Sequence, residues 1–466
     1  MISDFGWYFA SSLLPLLVGF LRTPIFTRHF STEEFGNLGI VQATYSYLGI
    51  LLFSWISSCL WRFYQKYKIS DRSETLNGSL LLFFALSVVL LSVFSMIWYM
   101  MADSGLVKEL IAVSCVHLIF SQWVAGYLVM VRLEARALLY TLFQSVRALL
   151  GFGISLYLVF YLDQSIAALI KALAVVDGLT LLILALWNPI RLGFTLVGFK
   201  WQEIKTLISY GAAGLIVNVS LLSLNLSDRY VILFSEGLSS VGVYDQVYKI
   251  SQFSVAALVT VFFNTINPEL FRELERDFKA SLSIMSRHLR TFLLAGLPLV
   301  VYLSLFSKEI SNVLLGSGFR EAFEIMPFIF FAAFLQGLSN FYELRMKFSA
   351  KMRLLGIVFV IVAVFNLLFN LLVVPEFGYF WAAFSTALSF VLMLMYFGYR
   401  DPVLLSSLRR HKPEFLKLTG LLGAQVALFL VVENFDRSMP IMIGLGLIFV
   451  FSYGWVLKSL GVFTEK

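Results

Sequence analysis

The sequence predicts an all-α, polytopic membrane protein with about 14 transmembrane helices, and three observations support this fold class. First, 59% of the 466 residues are hydrophobic and only 14% are charged, with a mean hydropathy of +0.86. Soluble proteins have about 45–50% apolar and about 25% charged residues. Second, the apolar residues occur in runs of about 20, the length that crosses a bilayer. Third, most basic residues lie in alternate loops between these runs.

Fourteen apolar runs are long enough to be predicted as spans. They cover residues 5–27, 37–60, 79–101, 109–131, 138–162, 165–187, 207–234, 241–266, 291–315, 323–344, 355–374, 381–399, 415–433 and 441–457. The first run has no preceding basic region and no small-residue cleavage site, so we interpret it as a retained helix and not as a signal peptide. The pairs at 138–187 and 207–266 are closely joined, which leaves the count open by two.

The loop charges predict the orientation of the chain. With a cytoplasmic N-terminus, 25 of the 35 Lys and Arg residues fall in inside loops, six in outside loops and four within spans. This excess follows the positive-inside rule and places both termini in the cytoplasm. It also explains the net charge of +7 without a nucleic-acid partner.

The sequence lacks the residue patterns of several enzyme classes. Cys59 and Cys115 lie in apolar runs and form neither a disulfide framework nor a metal motif. The four histidines are scattered, and the chain contains no phosphate-binding loop sequence of an ATPase. We therefore expect no catalytic residues, no metal and no cofactor. No outer loop is large, which argues against an enzyme that acts on the outer face.

The longest connection, residues 267–290, has an amphipathic pattern. This pattern predicts a helix that lies on the inner membrane surface. A solvated charged loop is the alternative interpretation.

Two loop segments indicate an internal repeat. FSTEEFGNLGIVQ (30–42) follows the first span, and FSEGLSSVGVYDQ (234–246) follows the seventh. Aligning Phe35-Gly36 with Val241-Gly242 gives an offset of 206 residues, or six helices. An even number of helices predicts a parallel repeat about an axis along the membrane normal. The offset aligns Arg22 with Asp228, beside Arg229.

The chain resembles Wzx-type polysaccharide flippases in the order and spacing of several segments. The seventh and eighth helices of that family are similar to residues 207–252, with Asp228-Arg229 and Val241-Gly242-x-Tyr244, followed by NPELF (267–271). Further similar segments are TRHFSTEEFG (27–36), LLGSGFREAF (314–323) and residues 334–389. The resemblance covers about residues 5–400. GFLRTPIFTR (19–28) is also similar to the first helix of lipid II flippases.

The resemblance implies a fold and a function. It implies the multidrug/oligosaccharidyl-lipid/polysaccharide exporter superfamily, in which two six-helix lobes face a central cavity and work by alternating access. We expect an N-terminal lobe at 1–206, a C-terminal lobe at 207–400, and two additional helices with a cytoplasmic C-terminus at 401–466. The implied passenger is an undecaprenyl-diphosphate-linked oligosaccharide for O-antigen, capsule or exopolysaccharide, carried across the bacterial inner membrane.

The partners follow from the same resemblance. They are the lipid-linked oligosaccharide, the membrane lipids, and as candidates a polymerase, a chain-length regulator and a coupling ion. Two other functions remain open: a drug/cation antiporter of the same superfamily, and a membrane-embedded glycan polymerase.

Cations within the spans are candidate ligands for an anionic diphosphate, because arginine meets phosphate oxygens with two parallel hydrogen bonds and stays charged. A charge in the bilayer core costs at least about 2.5–3.5 kcal/mol, so its presence needs a reason. By resemblance, the two arginines of the first span face the cavity in lipid II flippases. The candidate cavity cations are Arg22, Arg28, Arg147, Lys171, Arg229 and Lys249.

Each candidate cation also has a structural interpretation. Arg22 and Arg28 are near the outer end of the first span and could extend to the interface. Arg229 could form a structural ion pair with Asp228, and Lys249 lies one helical turn after Asp245. Lys171 and Asp177 are six residues apart, so a direct pair between them is not expected.

Acidic and polar candidates complete the predicted site. They are Asp177, Asp228, and a row at helical spacing formed by Gln336, Asn340 and Glu343. The row could contact sugar or hold helices together. Arg62 at the inner end of the second span is a candidate entry contact for the diphosphate, or an ordinary positive-inside residue.

Overall fold

The fold is known from a computed structural model that describes residues 2–162, 164–187, 201–276, 281–349, 351–401, 403–435 and 437–459. Every regular element in these ranges is helical. The α-helices are α1 (Ile2–Phe26), α2 (Thr32–Gly49), α3 (Trp55–Ile69), α4 (Ser73–Met101), α5 (Gly105–Leu133), α6 (Ala137–Tyr157), α7 (Ala168–Trp187), α8 (Trp201–Leu226), α9 (Asp228–Glu236), α10 (Leu238–Arg276), α11 (Ser281–Leu305), α12 (Ser307–Leu314), α13 (Met326–Phe348), α14 (Met352–Phe377), α15 (Phe380–Arg400), α16 (Val403–Arg410), α17 (Lys412–Phe435) and α18 (Met439–Ser459).

The predicted fold class and the spans are confirmed in the described ranges. Thirteen helical stretches there are long and apolar enough to cross a membrane, and α1 adds a shorter apolar stretch, Leu13–Phe26. Each of the 14 predicted runs coincides with one of these elements. The described ranges exclude 188–200, 277–280 and 460–466, so the basic loop residues there, Arg191, Lys200, Lys279 and Lys466, are not placed.

The second span is longer than its apolar run. It continues from Thr32 to Ile69 through a π-helical turn at Ile50–Ser54. A capping box starts it: the Glu34 backbone N–H donates to Ser31 Oγ at 3.3 Å, and the Ser31 backbone N–H donates to the Glu34 carboxylate at 2.9 Å. Both donors are thus satisfied at the helix start. Arg62 is therefore in the middle of α3 and not at a helix end.

The predicted surface helix at 267–290 is wrong. Its first part is the end of α10, which runs on to Arg276, and its last part is the start of α11 at Ser281. The pattern is amphipathic because these two helix ends extend beyond the apolar run. Arg287 and His288 of α11 both contact Glu269 of α10, at 2.8 and 3.0 Å.

The Cα positions group into two compact units, and the predicted lobe boundaries at 206 and 400 stay predictions. The first unit comprises Met1–Phe26, Phe30–Asp245 and Phe359–Pro375. In it α1 packs on α6, α5 packs on α7, and α3 packs on both α5 and α8. These packings bring the middles of α5, α6 and α7 together.

The second unit comprises Thr27–His29, Gln246–Val358 and Glu376–Lys466. In it α13 packs on α11 and α15, and α11 also packs on α16 and α17. Its core contains stacked rings, with Phe292 and Phe334 at a centroid distance of 5.3 Å and an interplanar angle of 1°.

Candidate functional site

Charged side chains inside the first unit form two buried clusters and several pairs nearer the surface. A buried charge is stable only when it is paired and hydrogen-bonded. The partners of each predicted cation therefore show whether its charge is still open to a ligand.

The first buried cluster, which we call the α9–α10 cluster, consists of Asp228, Arg229, Tyr244 and Asp245. Arg229 is 1% exposed. It donates through Nε to Asp245 at 2.9 Å and through Nη1 to Asp228 at 2.9 Å and to the Asn225 carbonyl. The Tyr244 hydroxyl donates to the second oxygen of Asp228.

This geometry changes the interpretation of Arg229. Two carboxylates and a backbone carbonyl share its guanidinium, so its charge is neutralised within the protein in this conformation. The pattern is that of the structural ion pair given above as the alternative to a phosphate ligand. Asp245 is the partner that sequence spacing missed, because it lies 16 residues away on the next helix.

A close helix contact accompanies this cluster. A Cβ atom built at Gly36 of α2 would overlap the carbonyl oxygen of Leu238, and one built at Gly242 of α10 would overlap the carbonyl oxygen of Thr32. Only glycine permits this approach. Leu238 and Gly242 each follow their counterparts, Thr32 and Gly36, by the 206-residue offset of the predicted repeat. The two contacts are therefore equivalent under that repeat.

The second buried cluster, which we call the mid-helix cluster, consists of His117 on α5, Arg147 on α6 and Asp177 on α7. Arg147 donates through Nε at 2.8 Å and Nη2 at 2.6 Å to the same oxygen of Asp177. His117 Nε2 lies 3.5 Å from the other oxygen. Gln144 accepts from Arg147 Nη1 at 3.2 Å, so the predicted polar stripe on α6 does face the protein interior.

Sequence analysis did not pair these residues. Arg147 and Asp177 are 30 residues apart, and His117 was one of four scattered histidines. The only available signal was that each lies near the middle of an apolar run. Arg147, like Arg229, is bound to a carboxylate in this conformation.

The two cations of the first span have different surroundings. Arg22 is partly buried and donates to the Leu169 carbonyl at 3.4 Å, with no carboxylate contact printed on its guanidinium by the described geometry of α1. Arg28 follows the end of α1, is exposed, and donates to the Val313 carbonyl at 2.6 Å. Arg28 thus has the surface position of its alternative interpretation, whereas Arg22 lies within the helix packing.

The two candidate lysines lie elsewhere. Lys171 pairs with Glu109 at 2.5 Å, and both side chains are about one-third exposed. Lys171 is therefore paired near the ends of α5 and α7, and Asp177 is not its partner, as expected. Lys249 is partly buried on α10.

The polar row of α13 follows one partly exposed helix face. Gln336, Asn340 and Glu343 are each of intermediate exposure. Glu343 accepts from Ser339 at 3.2 Å and pairs with Lys347 at 3.3 Å. This places a carboxylate with a local partner on that face.

Arg62 lines an open pocket between α3 and α8, which we call the α3–α8 pocket. The pocket has a volume of about 610 Å³ and is lined by Arg62, Phe63, Lys205, Thr206, Ser209 and Tyr210. Two cations and two aromatic rings lie together there. Such a pocket offers charge to an anionic headgroup and apolar surface to a lipid chain.

Ion pairs lie beside this pocket at the ends of the spans. Glu134 accepts from Lys68 at 2.6 Å and from Tyr64 at 2.8 Å. Burial acts to raise the pKa of Glu134, but these two hydrogen bonds and the charge of Lys68 together hold that pKa below its ordinary value. Hydrogen bonding to Glu203 raises the pKa of Arg72.

No group of three or more His, Cys, Asp or Glu side chains able to hold a metal ion occurs among the described residues. The site candidates are therefore cations, carboxylates and polar groups of membrane helices. Their chemistry is the binding of charged or polar groups.

Comparison with known structures places this arrangement in a known fold. The lipid II flippase MurJ, in an inward closed conformation, has a TM-score of 0.78 and 14% identity, covering 99% of this chain and 100% of that chain. An inward-facing multidrug resistance MATE family transporter of the MOP superfamily has a TM-score of 0.61 and 13% identity, with 86% and 94% covered. A MOP superfamily transporter from Pyrococcus furiosus has a TM-score of 0.55 and 13% identity, with 84% and 95% covered.

These identities show a shared fold, that of multi-pass membrane transporters. No curated protein matches the sequence at a significant level. The polysaccharide biosynthesis protein family matches residues 1–274, more than half of the chain. The expected relationship to Wzx-type flippases is thereby confirmed, and the chain belongs to the polysaccharide biosynthesis protein family.

Proposed function

We propose that this protein is a flippase that moves a polyprenyl-diphosphate-linked oligosaccharide across the bacterial inner membrane by alternating access. The observation that carries this proposal is the family match over residues 1–274. The MurJ-like fold over 99% of the chain supports it. The products in view are O-antigen, capsule or exopolysaccharide.

In this proposal Arg22 is the principal ligand of the passenger's diphosphate. It is partly buried within the packed helices, and its described hydrogen bond goes to a neutral carbonyl at 3.4 Å, longer than a strong charged bond. Arg147 and Arg229, by contrast, donate to carboxylates. A passenger phosphate would gain more from Arg22 than from cations that are already neutralised.

The α3–α8 pocket is the proposed entry site at the cytoplasmic side. Arg62 and Lys205 would attract the diphosphate, and the rings of Phe63 and Tyr210 would contact the lipid chain. Lys249 and the polar row of Gln336, Asn340 and Glu343 are kept as proposed contacts for the glycan. Arg28 and Lys171 are proposed to act at the surface.

The function is tested by deleting the gene in its own host. The deletion is expected to abolish the surface polymer and to cause accumulation of the polyprenyl-diphosphate-linked oligosaccharide in the membrane. Wild-type protein supplied on a plasmid should restore the polymer. Normal polymer in the deletion strain would contradict the proposal.

The role of Arg22 is tested in the same strain. A charged hydrogen bond contributes about 1.5–3 kcal/mol, so Arg22→Ala should weaken passenger binding about tenfold to a hundredfold and reduce the polymer at normal membrane levels. Arg22→Lys should rescue poorly if two parallel hydrogen bonds are needed. Arg353→Ala, which removes an exposed cation at the start of α14, is the matched control. Full polymer from Arg22→Ala would show that this arginine is structural.

A further inference from the structure

The mid-helix cluster contains an acceptor that lacks a hydrogen-bond partner. Asp177 is 3% exposed, and both hydrogen bonds from Arg147 go to its Oδ1 atom. Its Oδ2 atom is buried and has no hydrogen-bond partner among the described residues. His117 Nε2 faces this atom at 3.5 Å. A buried carboxylate oxygen without a donor costs free energy, so a proton placed between these two atoms would stabilise the cluster.

The charges of the cluster identify the group that can change protonation. Arg147 and Asp177 together are neutral, and arginine stays protonated in proteins. His117 is the neighbouring side chain with an ordinary pKa near neutral pH. The cluster therefore has two accessible charge states, which differ by one proton.

The electrostatic surroundings of His117 come from three helices. Asp177 favours its protonated form, whereas Arg147 and Arg22 disfavour it. Tyr45 of α2 interacts with Cys115, two residues from His117, and its hydroxyl donates to the Ile111 carbonyl at 2.8 Å. A proton bound at His117 thus acts directly on Arg22, the proposed diphosphate ligand.

We infer that His117 and Asp177 form a binding site for a single proton, and that H⁺ is the coupling ion of the transport cycle. The proton would be held between His117 Nε2 and Asp177 Oδ2, while Arg147 holds the carboxylate in place. The coupling role rests on the proposed function. The proton site itself does not.

The proton site is tested by NMR of purified full-length protein with isotope-labelled histidine side chains. The chain has four histidines, His29, His117, His288 and His411, and the signal lost in His117→Gln identifies the one of interest. We expect this signal to titrate in one step between about pH 5 and pH 9. Asp177→Asn should displace the midpoint by about one pH unit or more, because the opposite charge is removed. Asp103→Asn, at an exposed loop position, should leave it in place.

Two results would overturn the proton site. One is a His117 signal that does not change over this range. The other is a midpoint that Asp177→Asn leaves unmoved. Because Asp177→Asn leaves Arg147 without its carboxylate, Asp177→Glu is measured as well. It keeps the charge and should keep the step.

Coupling is tested in the deletion strain. His117→Gln should lower the surface polymer at least about tenfold at normal membrane levels, because one proton-binding group is removed without burying a charge. His29→Gln, at an exposed position, should not lower it. Full polymer from His117→Gln would exclude a coupling role. If the deletion itself left the polymer unchanged, the proposed function would fail, and the NMR titration would still decide the proton site.

Discussion

Arg229 holds two carboxylates, Asp228 and Asp245, that would otherwise repel each other in a buried environment. Breaking a buried ion pair by removing one partner costs about 3–5 kcal/mol. We therefore expect Arg229→Ala to lower the thermal unfolding temperature and the membrane level. Arg22→Ala should lower neither. The measurement is thermal unfolding of the detergent-solubilised protein.

Arg353→Ala is the control for loss of an arginine at an exposed position. An unfolding temperature for Arg229→Ala equal to that of the control would contradict the structural role of the α9–α10 cluster.

Glu134 gives a prediction of pH dependence. Its folded-state pKa lies below the ordinary value because Lys68 and Tyr64 donate to it, and these bonds outweigh the opposing effect of burial. A lowered folded-state pKa contributes stability above the unfolded-state pKa, and this stability is lost as the pH falls through the folded-state pKa.

Glu134→Gln should therefore lower the unfolding temperature at pH 7, and the difference from wild type should shrink as the pH falls below about 4.5. Unfolding curves of both proteins across this pH range provide the measurement. A difference that stays constant would indicate that the charge of Glu134 is not responsible.

Single residues show why the sequence predicted the candidates but not their partners. Arg147, Asp177 and Arg229 were found because charges in apolar runs are expensive. Their ion pairs depend on helix packing across 30 and 16 residues, which helical spacing within one segment does not reveal. Only pairs on one helix, such as Glu343 and Lys347, lie within reach of that spacing.

The contact between α2 and the start of α10 is the element-scale feature that limits substitution most strictly. A methyl group at Gly36 would overlap the backbone of Leu238, and the backbone cannot move as a flexible side chain can. The adjacent hydroxyl groups of Thr32 and Ser239 lie 2.7 Å apart. Cysteines at these two positions should therefore form a disulfide.

We expect the pair Thr32→Cys and Ser239→Cys to crosslink in a background without Cys59 and Cys115. Adding Gly36→Ala should reduce the crosslinking yield, because the added Cβ separates the two helices. Gly153→Ala, where an added Cβ meets nothing within 4 Å, is the matched control. Equal yields for Gly36→Ala and the control would show that the helices do not need this close approach.

Element boundaries were harder to predict than element number. Each apolar run became a helix, but α10 and the Thr32–Ile69 span extend well past their runs. Hydropathy marks the part of a helix that lies in lipid, whereas capping and interhelical ion pairs set where it ends. The incorrect surface helix at 267–290 has this cause.

At the scale of the whole molecule, the predicted orientation places both termini in the cytoplasm. Single cysteines replacing Ser104 and Ser317, both exposed, should react with an impermeant thiol reagent added outside, in a background without the native cysteines. A cysteine replacing the exposed Ser70 should not react. Labelling of Ser70→Cys from outside intact cells would reverse the topology.

The whole-molecule fold was predictable because composition, run length and loop charge all depend on the bilayer and not on particular contacts. The route of the passenger was not predictable in the same way. It depends on which cations remain without a carboxylate, and three-dimensional packing decides that.

The central claim is that this chain moves a lipid-linked oligosaccharide across a membrane. The most direct measurement uses proteoliposomes that contain the purified protein and lipid-linked oligosaccharide extracted from the deletion strain and labelled on its sugar. A membrane-impermeant enzyme that removes the label reports how much passenger faces outward. We predict that wild-type protein makes the inner-leaflet fraction accessible and that Arg22→Ala slows this at least about tenfold. An accessible fraction equal to that of protein-free liposomes would contradict the account.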